Sequence, residues 1–88
     1  MPKIELTETF KHRYAKLPAA IQKKVKKALR LLADNPRYPS LQTKPVEGAP
    51  GIYEARIDQA YRLTYEFLPG NILRLRVVDK HDEALKNP

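Results

Sequence analysis

A guanidinium can grip two oxygens of one phosphate through parallel hydrogen bonds, and in the C-terminal half of this 88-residue chain arginines recur on one parity of three strand-like runs. The runs are Ile52-Tyr-Glu-Ala-Arg-Ile57, Tyr61-Arg-Leu-Thr-Tyr-Glu-Phe67 and Ile72-Leu-Arg-Leu-Arg-Val-Val78. Successive side chains of a strand point to opposite faces, so this alternation marks strands with one buried and one wet face. Paired as a meander, the runs send Tyr53, Ala55, Ile57, Leu63, Tyr65, Phe67, Leu73, Leu75 and Val77 into a core. The other face collects Glu54, Arg56, Arg62, Thr64, Glu66, Arg74, Arg76 and Lys80. The chemistry expected of such an open cationic face is the cradling of phosphate.

Register decides this expectation, because a slip of one residue would drive every arginine into the core. A connection over residues 58–60 sets Ile57 opposite Tyr61 and Arg56 opposite Arg62. A second connection, Pro69-Gly70-Asn71, sets Phe67 opposite Leu73, Glu66 opposite Arg74 and Thr64 opposite Arg76. Two-residue loops would mix the faces. Glu66 with Arg74 is an ordinary cross-strand charge pair, whereas Arg56 facing Arg62 costs stability unless something anionic lies between them. That cost points to a ligand.

The elements that must position these arginines begin with a short apolar strand at Ile4 to Leu6. Thr7 is a suitable N-cap for a helix that turns Phe10, Tyr14 and Leu17 inward. Pro18 interrupts it and starts a second helix at its first position. There Ile21, Val25, Ala28, Leu29 and Leu32 form an apolar stripe, Lys23, Lys24, Lys26, Lys27 and Arg30 occupy the other face, and Asn35-Pro36 is the stop. Residues 36–51 carry prolines at 36, 39, 45 and 50 and read as a surface connection long enough to line a site. A helical hairpin laid on the apolar face of a small antiparallel sheet buries both stripes, giving a two-layer α+β fold with the first strand at an edge or beside the last strand.

Composition agrees with one small basic domain over residues 1–88. A net charge of +7 favours polyanions or an acidic protein segment as partners. The chain has no cysteine, hence no thiolate metal site and no need of an oxidising compartment. No apolar run approaches membrane-spanning length, and Met1-Pro-Lys-Ile-Glu lacks the apolar core of a signal peptide, so the reading is cytoplasmic and without a membrane partner. No metal-ligand cluster, Gly-rich phosphate loop or catalytic carboxylate pair is visible.

The element order, together with Tyr53-Glu-Ala-Arg-Ile-Asp58, Tyr61-Arg-Leu-Thr-Tyr-Glu66 and the ending Leu75-Arg-Val-Val-Asp-Lys-His-Asp-Glu83, resembles the RelE/ParE superfamily of toxins from type II toxin–antitoxin modules. The likeness spans nearly the whole chain, helical hairpin included, and is carried by the order of several weak motifs. Two functional classes share that fold. RelE-like members are endoribonucleases that cut messenger RNA, many of them only in the ribosomal A site, whereas ParE-like members inhibit DNA gyrase. The resemblance implies an antitoxin partner, short and acidic, and it favours the RelE branch.

RNA cleavage by the 2′-hydroxyl requires deprotonation of that hydroxyl, stabilisation of negative charge on a phosphorus with five oxygen neighbours, and protonation of the departing 5′-oxygen. No metal or cofactor is obligatory. Arg62 matches the arginine of the family's aromatic-Arg strand motif and is the expected transition-state stabiliser; its bland counterpart is an arginine paired with Glu54 or Glu66 on a solvated face. His81 follows the last strand, where RelE-like sequences place a basic or histidine side chain, and is the expected general acid or base. Alternatively His81 opens a solvated tail in which Asp82 caps one helical turn over residues 83–86. Arg56, Arg76, Lys44 and Lys80 are expected contacts to flanking phosphates, and Lys23, Lys24, Lys26, Lys27 and Arg30 electrostatic contacts to ribosomal RNA. Each of these cations also reads as ordinary surface charge.

Tyr53, Tyr61 and Tyr65 fall on the core parity, which leaves Tyr38 as the tyrosine for base stacking. His12 lies on the polar side of the first helix and receives no role. Many RelE-like toxins carry a tyrosine beyond the last basic residue, but here Leu85 stands in that neighbourhood and no tyrosine follows Tyr65. A gyrase inhibitor of the ParE kind and a decayed toxin that only binds its antitoxin therefore stand beside the nuclease reading. For the nuclease, Arg62→Ala and His81→Ala are each expected to abolish message cleavage without unfolding the protein.

Overall fold

The computed structural model describes residues 2–88; Met1, part of the N-terminal stretch read above for a leader, lies outside it. Among the described residues the order is β1 (Lys3–Leu6), α1 (Glu8–Ala15), α2 (Ala19–Asp34), a 3-10 turn (Pro39–Leu41), β2 (Lys44–Pro45), β3 (Ile52–Arg56), β4 (Tyr61–Leu68), β5 (Ile72–Lys80) and α3 (His81–Lys86). The strands form one sheet in the order β1-β5-β4-β3-β2. The meander is antiparallel, and β1 joins β5 in parallel at one edge. No helix among the described residues is long and apolar enough to cross a membrane.

One side chain organises the junction of β1, α1 and β5. The Thr7 hydroxyl accepts the Phe10 N–H at 3.2 Å and so caps α1. Its proton faces the main-chain oxygens of Leu75 and Arg76, at 2.8 and 3.1 Å. Pro18 is the N-cap of α2 and not its first helical residue; its carbonyl accepts the N–H groups of Ile21 and Gln22. The Gln22 side-chain amide donates to the Tyr14 carbonyl at 2.9 Å, which ties α2 to the end of α1.

The apolar stripe of the hairpin is buried as its spacing demands. Phe10, Val25, Ala28 and Leu32 pack on Ala55, Leu63, Tyr65, Leu73, Leu75 and Val78. Each fully buried leucine contributes on the order of 2 kcal/mol of transfer free energy. The connection between α2 and β3 is anchored by buried Leu41 and Val46. It also contributes β2, which pairs Lys44 with Glu54 and Pro45 with Tyr53.

Both hairpins take the expected register at their turns. Arg56 faces Arg62, Phe67 faces Leu73 and Glu66 faces Arg74. The expected pair of Thr64 with Arg76 does not form. A bulge leaves Arg76 unpaired, so that Tyr65 faces Leu75 while Thr64 faces Val77. Beyond the bulge the parity of β5 inverts: Val78 joins the helix-side core, and Val77, expected there, is buried outside that cluster.

Two further expectations about burial are corrected. Phe67 has core parity but is 52% exposed, because α2 ends at Asp34 near this end of the sheet and leaves the ring uncovered. The polar face is not open. The segment running from α3 to Pro88 folds back over β4, so that Thr64 is fully buried and donates to the Pro88 main-chain oxygen at 3.0 Å. Ala84 is fully buried as well, and Glu54 is only 4% exposed. The helix α3 begins at His81, with Lys80 as its N-cap and no side-chain cap, so Asp82 is not the cap of a turn over 83–86.

Candidate active site

The turn between β3 and β4 is where the expected catalytic residues meet. Asp58 builds it: one carboxylate oxygen accepts the N–H groups of Ala60 and Tyr61, both at 2.9 Å. The other accepts from Lys24 of α2 at 3.1 Å. Burial would raise the Asp58 carboxyl, but the Tyr61 N–H, Lys24 and the Ala60 N–H outweigh it and hold the group below its ordinary value. A depressed carboxylate adds stability above the value of the free group, and that stability disappears as pH falls through the folded-state value. Asp58→Ala is therefore expected to cost about 1 kcal/mol near neutral pH. In urea unfolding the gap from the parent protein should close on acidification; a gap independent of pH would mean that the carboxylate charge does not hold the turn.

Arg62 closes the turn from the sheet. Its Nη1 donates to the carbonyls of Asp58 (2.5 Å), Tyr61 (2.9 Å) and Gln59 (3.3 Å). Its Nε lies 3.8 Å from a Glu54 carboxylate oxygen, and both side chains are largely buried. Nη2 has no protein partner among the described residues, which leaves one donor edge for an anion. Arg62 thus makes the expected pairing with Glu54 and keeps Nη2 alone for a phosphate contact.

His81 reaches the same turn from the end of β5. Its N–H donates to the Ala60 carbonyl at 2.7 Å, next to the carbonyls that Arg62 holds. The imidazole is half-exposed, with Nδ1 3.1 Å from Asp82. When Nδ1 carries the proton and donates to Asp82, Nε2 keeps its lone pair for a substrate. Lys80, exposed and opposite Tyr61, adds a cation beside this turn.

Arg56, across from Arg62, avoids its neighbour by turning to the sheet edge. Its Nη1 donates to the Gln42 side-chain carbonyl at 3.2 Å, and the side chain lines a cleft of about 350 Å3 with Lys24, Lys27 and Ser40. The structure thus gathers Arg56, Arg62, Lys80, His81, Lys24 and Lys27 around one end of the sheet. Arg76 is not among them: it bonds Glu66 through Nη1 and the Pro88 main-chain oxygen through Nε. Arg74 likewise bonds Glu5 and sits 3.7 Å from Glu66.

The basic residues of α2 are spread over more than one cleft. Lys24 and Lys27 face Arg56, whereas Lys26 lines a groove with Lys11 and Leu6 on the α1 side. Lys23 and Arg30 are exposed. Lys44 lies in a different cleft, beside Phe67 and Arg37. Tyr38 packs partly against the core, and its hydroxyl donates to Asp34 at 2.5 Å; that bond and the Asp34 charge push the phenol above its ordinary value.

Residue reading missed Asp58 and the ion pair of Arg13 with Asp79, which takes the carboxylate standing opposite Arg62 into a contact with α1. The Asp58 role had a visible signal, since an aspartate at the start of a short turn habitually accepts the N–H groups that follow. His12, left without a role, lines a cleft with Arg13, Tyr61 and Asp79.

No protein-family model matches the sequence, and no curated protein is similar to it at sequence level. Solved structures are similar. The YoeB/ParE toxin from Agrobacterium tumefaciens superposes with a TM-score of 0.76 at 20% identity, over 90% of this chain and 98% of that one. A chain of the RelE–RelB complex from Pyrococcus horikoshii gives 0.76 at 16% identity, over 94% and 98%. A chain of the E. coli DinJ–YafQ toxin–antitoxin complex gives 0.72 at 21% identity, over 93% and 94%. The chain has the fold of the RelE/ParE toxins.

Proposed function

We propose that this chain is the toxin of a type II toxin–antitoxin module and a metal-independent endoribonuclease that cuts messenger RNA during translation. The observation that carries the reading is one turn held from two sides, by the Arg62 guanidinium at the Asp58, Gln59 and Tyr61 carbonyls and by the His81 main-chain N–H at Ala60. This supplies a guanidinium donor edge and an ionisable imidazole at one end of the sheet, ringed by Arg56 and Lys80.

In the reaction, the 2′-oxygen loses its proton and bonds to the adjacent phosphorus. The bond from phosphorus to the 5′-oxygen breaks, and that oxygen takes a proton. The products are a 2′,3′-cyclic phosphate and a 5′-hydroxyl. Arg62 stabilises the charge that builds on the non-bridging oxygens, and His81 moves one of the two protons. Arg56, Lys24 and Lys27 hold flanking phosphates or ribosomal RNA. Toxin–antitoxin complexes among the similar structures support an antitoxin as the partner that restrains the activity.

The test is primer extension on a defined message in a cell-free translation system. Discrete cuts within translated codons, undiminished by a chelator that leaves translation running, are the expected result. An intact message in the presence of folded protein overturns the reading and moves the target to DNA gyrase, assayed by supercoiling.

A further inference from the structure

At the end of the sheet remote from Arg62, an aromatic surface lies uncovered. Phe67 is the more exposed of the two large apolar side chains at the surface of the described residues, and it is not isolated. Its ring stands edge-on to Tyr53 and Tyr65, with centroids 5.6 and 5.7 Å away and interplanar angles of 77° and 80°. The two tyrosines stack on each other at 5.8 Å. Together they border a cleft of about 330 Å3 whose rim carries Arg37 and Lys44. Among the described residues no carboxylate lines this cleft.

The charge around the cleft is one-sided. Among the described residues neither Arg37 nor Lys44 forms an ion pair, whereas Arg13, Arg62, Arg74 and Arg76 all do. Rigid aromatic rings beside unneutralised cations suit a ligand that alternates flat apolar groups with negative charges, as single-stranded nucleic acid does. An acidic peptide matches the cations but not the stacked rings. Phe67 follows Arg62 by five positions on β4, about 17 Å along the strand, and points to the opposite face of the sheet, so an RNA strand that engages both sites passes round the sheet edge, where Lys44 lies on β2.

We propose that this cleft is a second RNA subsite, in which a base of the single strand stacks on Phe67, whose ring Tyr53 and Tyr65 support edge-on, while Arg37 and Lys44 hold its flanking phosphates. The proposal takes from the ribonuclease reading that the ligand is RNA, and it adds where the strand continues beyond the cut.

The experiment measures binding without cleavage. Fluorescence anisotropy compares a 2′-O-methyl hexa-adenylate, whose blocked oxygens cannot attack, with an abasic 2′-O-methyl backbone of the same length. Phe67→Ala should weaken the hexa-adenylate roughly tenfold and leave the abasic strand unchanged, with Phe67→Tyr close to the parent. The double variant Arg37→Ala, Lys44→Ala should weaken both strands and flatten the logarithmic salt dependence by about 1.4, since each phosphate that is no longer neutralised removes about 0.7 from the slope. Unchanged affinity of Phe67→Ala for the hexa-adenylate overturns the proposal whatever the cleavage assay shows, and so does an equal loss on both strands. A loss confined to a glutamate-rich amphipathic peptide assigns the cleft to a protein partner and also overturns it.

Discussion

Arg62→Ala is expected to slow message cleavage by about 10²- to 10³-fold, the usual loss on removing one preorganised donor from a developing oxyanion. The same substitution also disturbs the fold. The guanidinium holds three main-chain carbonyls of the turn and lies beside the buried Glu54 carboxylate. Deleting it leaves that carboxylate without its cation, which costs about 3 kcal/mol when both partners are buried. Stability for a chain of this size is of order 5–10 kcal/mol, so the variant should be markedly weakened yet still folded.

Catalytic and structural losses are separable by two companions. Glu54→Gln removes the charge that Arg62→Ala would strand, so the double variant should regain much of the lost stability while staying inactive. Arg62→Lys keeps the positive charge but not the fork, and should recover only a small part of the rate. Primer extension gives the rate and urea unfolding the stability. If the double variant is folded and cuts as fast as Glu54→Gln alone, Arg62 serves the turn and not the reaction.

The sheet was legible because alternation is strict on β3 and β4 and the turn Pro69-Gly70-Asn71 allows one register; Gly70 and Asn71 both take positive φ there. The bulge was not. Leu75, Arg76 and Val77 continue the alternation without a break, and the inversion shows only in the adjacent valines 77 and 78, which satisfy either parity. What fixes the bulge is distant in sequence, since Thr7 captures the Leu75 and Arg76 carbonyls across the parallel edge.

The covered polar face was hidden for a related reason. The six residues of α3 contain a single apolar pair, Ala84 and Leu85. Their burial depends on Thr64 and Pro88 meeting across the sheet. The candidate residues Arg62 and His81 were legible by type and motif, but their joint hold on one turn was not, because no spacing in the sequence links His81 to Ala60. Phe67 shows the converse. Its parity was legible, and its exposure depends on where α2 ends relative to the sheet.

His81→Ala should lower cleavage by about 10²- to 10⁴-fold, the range for a positioned proton-transfer group. Its structural cost should be small, because the bond to the Ala60 carbonyl comes from the main-chain N–H and survives the substitution. Among the described residues the polar partner of the half-exposed imidazole is Asp82, itself in open solvent, and such surface pairs contribute less than about 1 kcal/mol. A sulfur in place of the 5′-oxygen departs without needing a proton. If His81 protonates the leaving group, the 5′-thio substrate should restore His81→Ala to nearly the parent rate while leaving the deficit of the Arg62 variants intact. If His81 instead deprotonates the 2′-hydroxyl, the 5′-thio substrate should leave its deficit unchanged. Parent-level cleavage of the ordinary substrate by folded His81→Ala would remove the imidazole from the reaction, and would direct attention to Lys80 and Arg56 at the same end of the sheet.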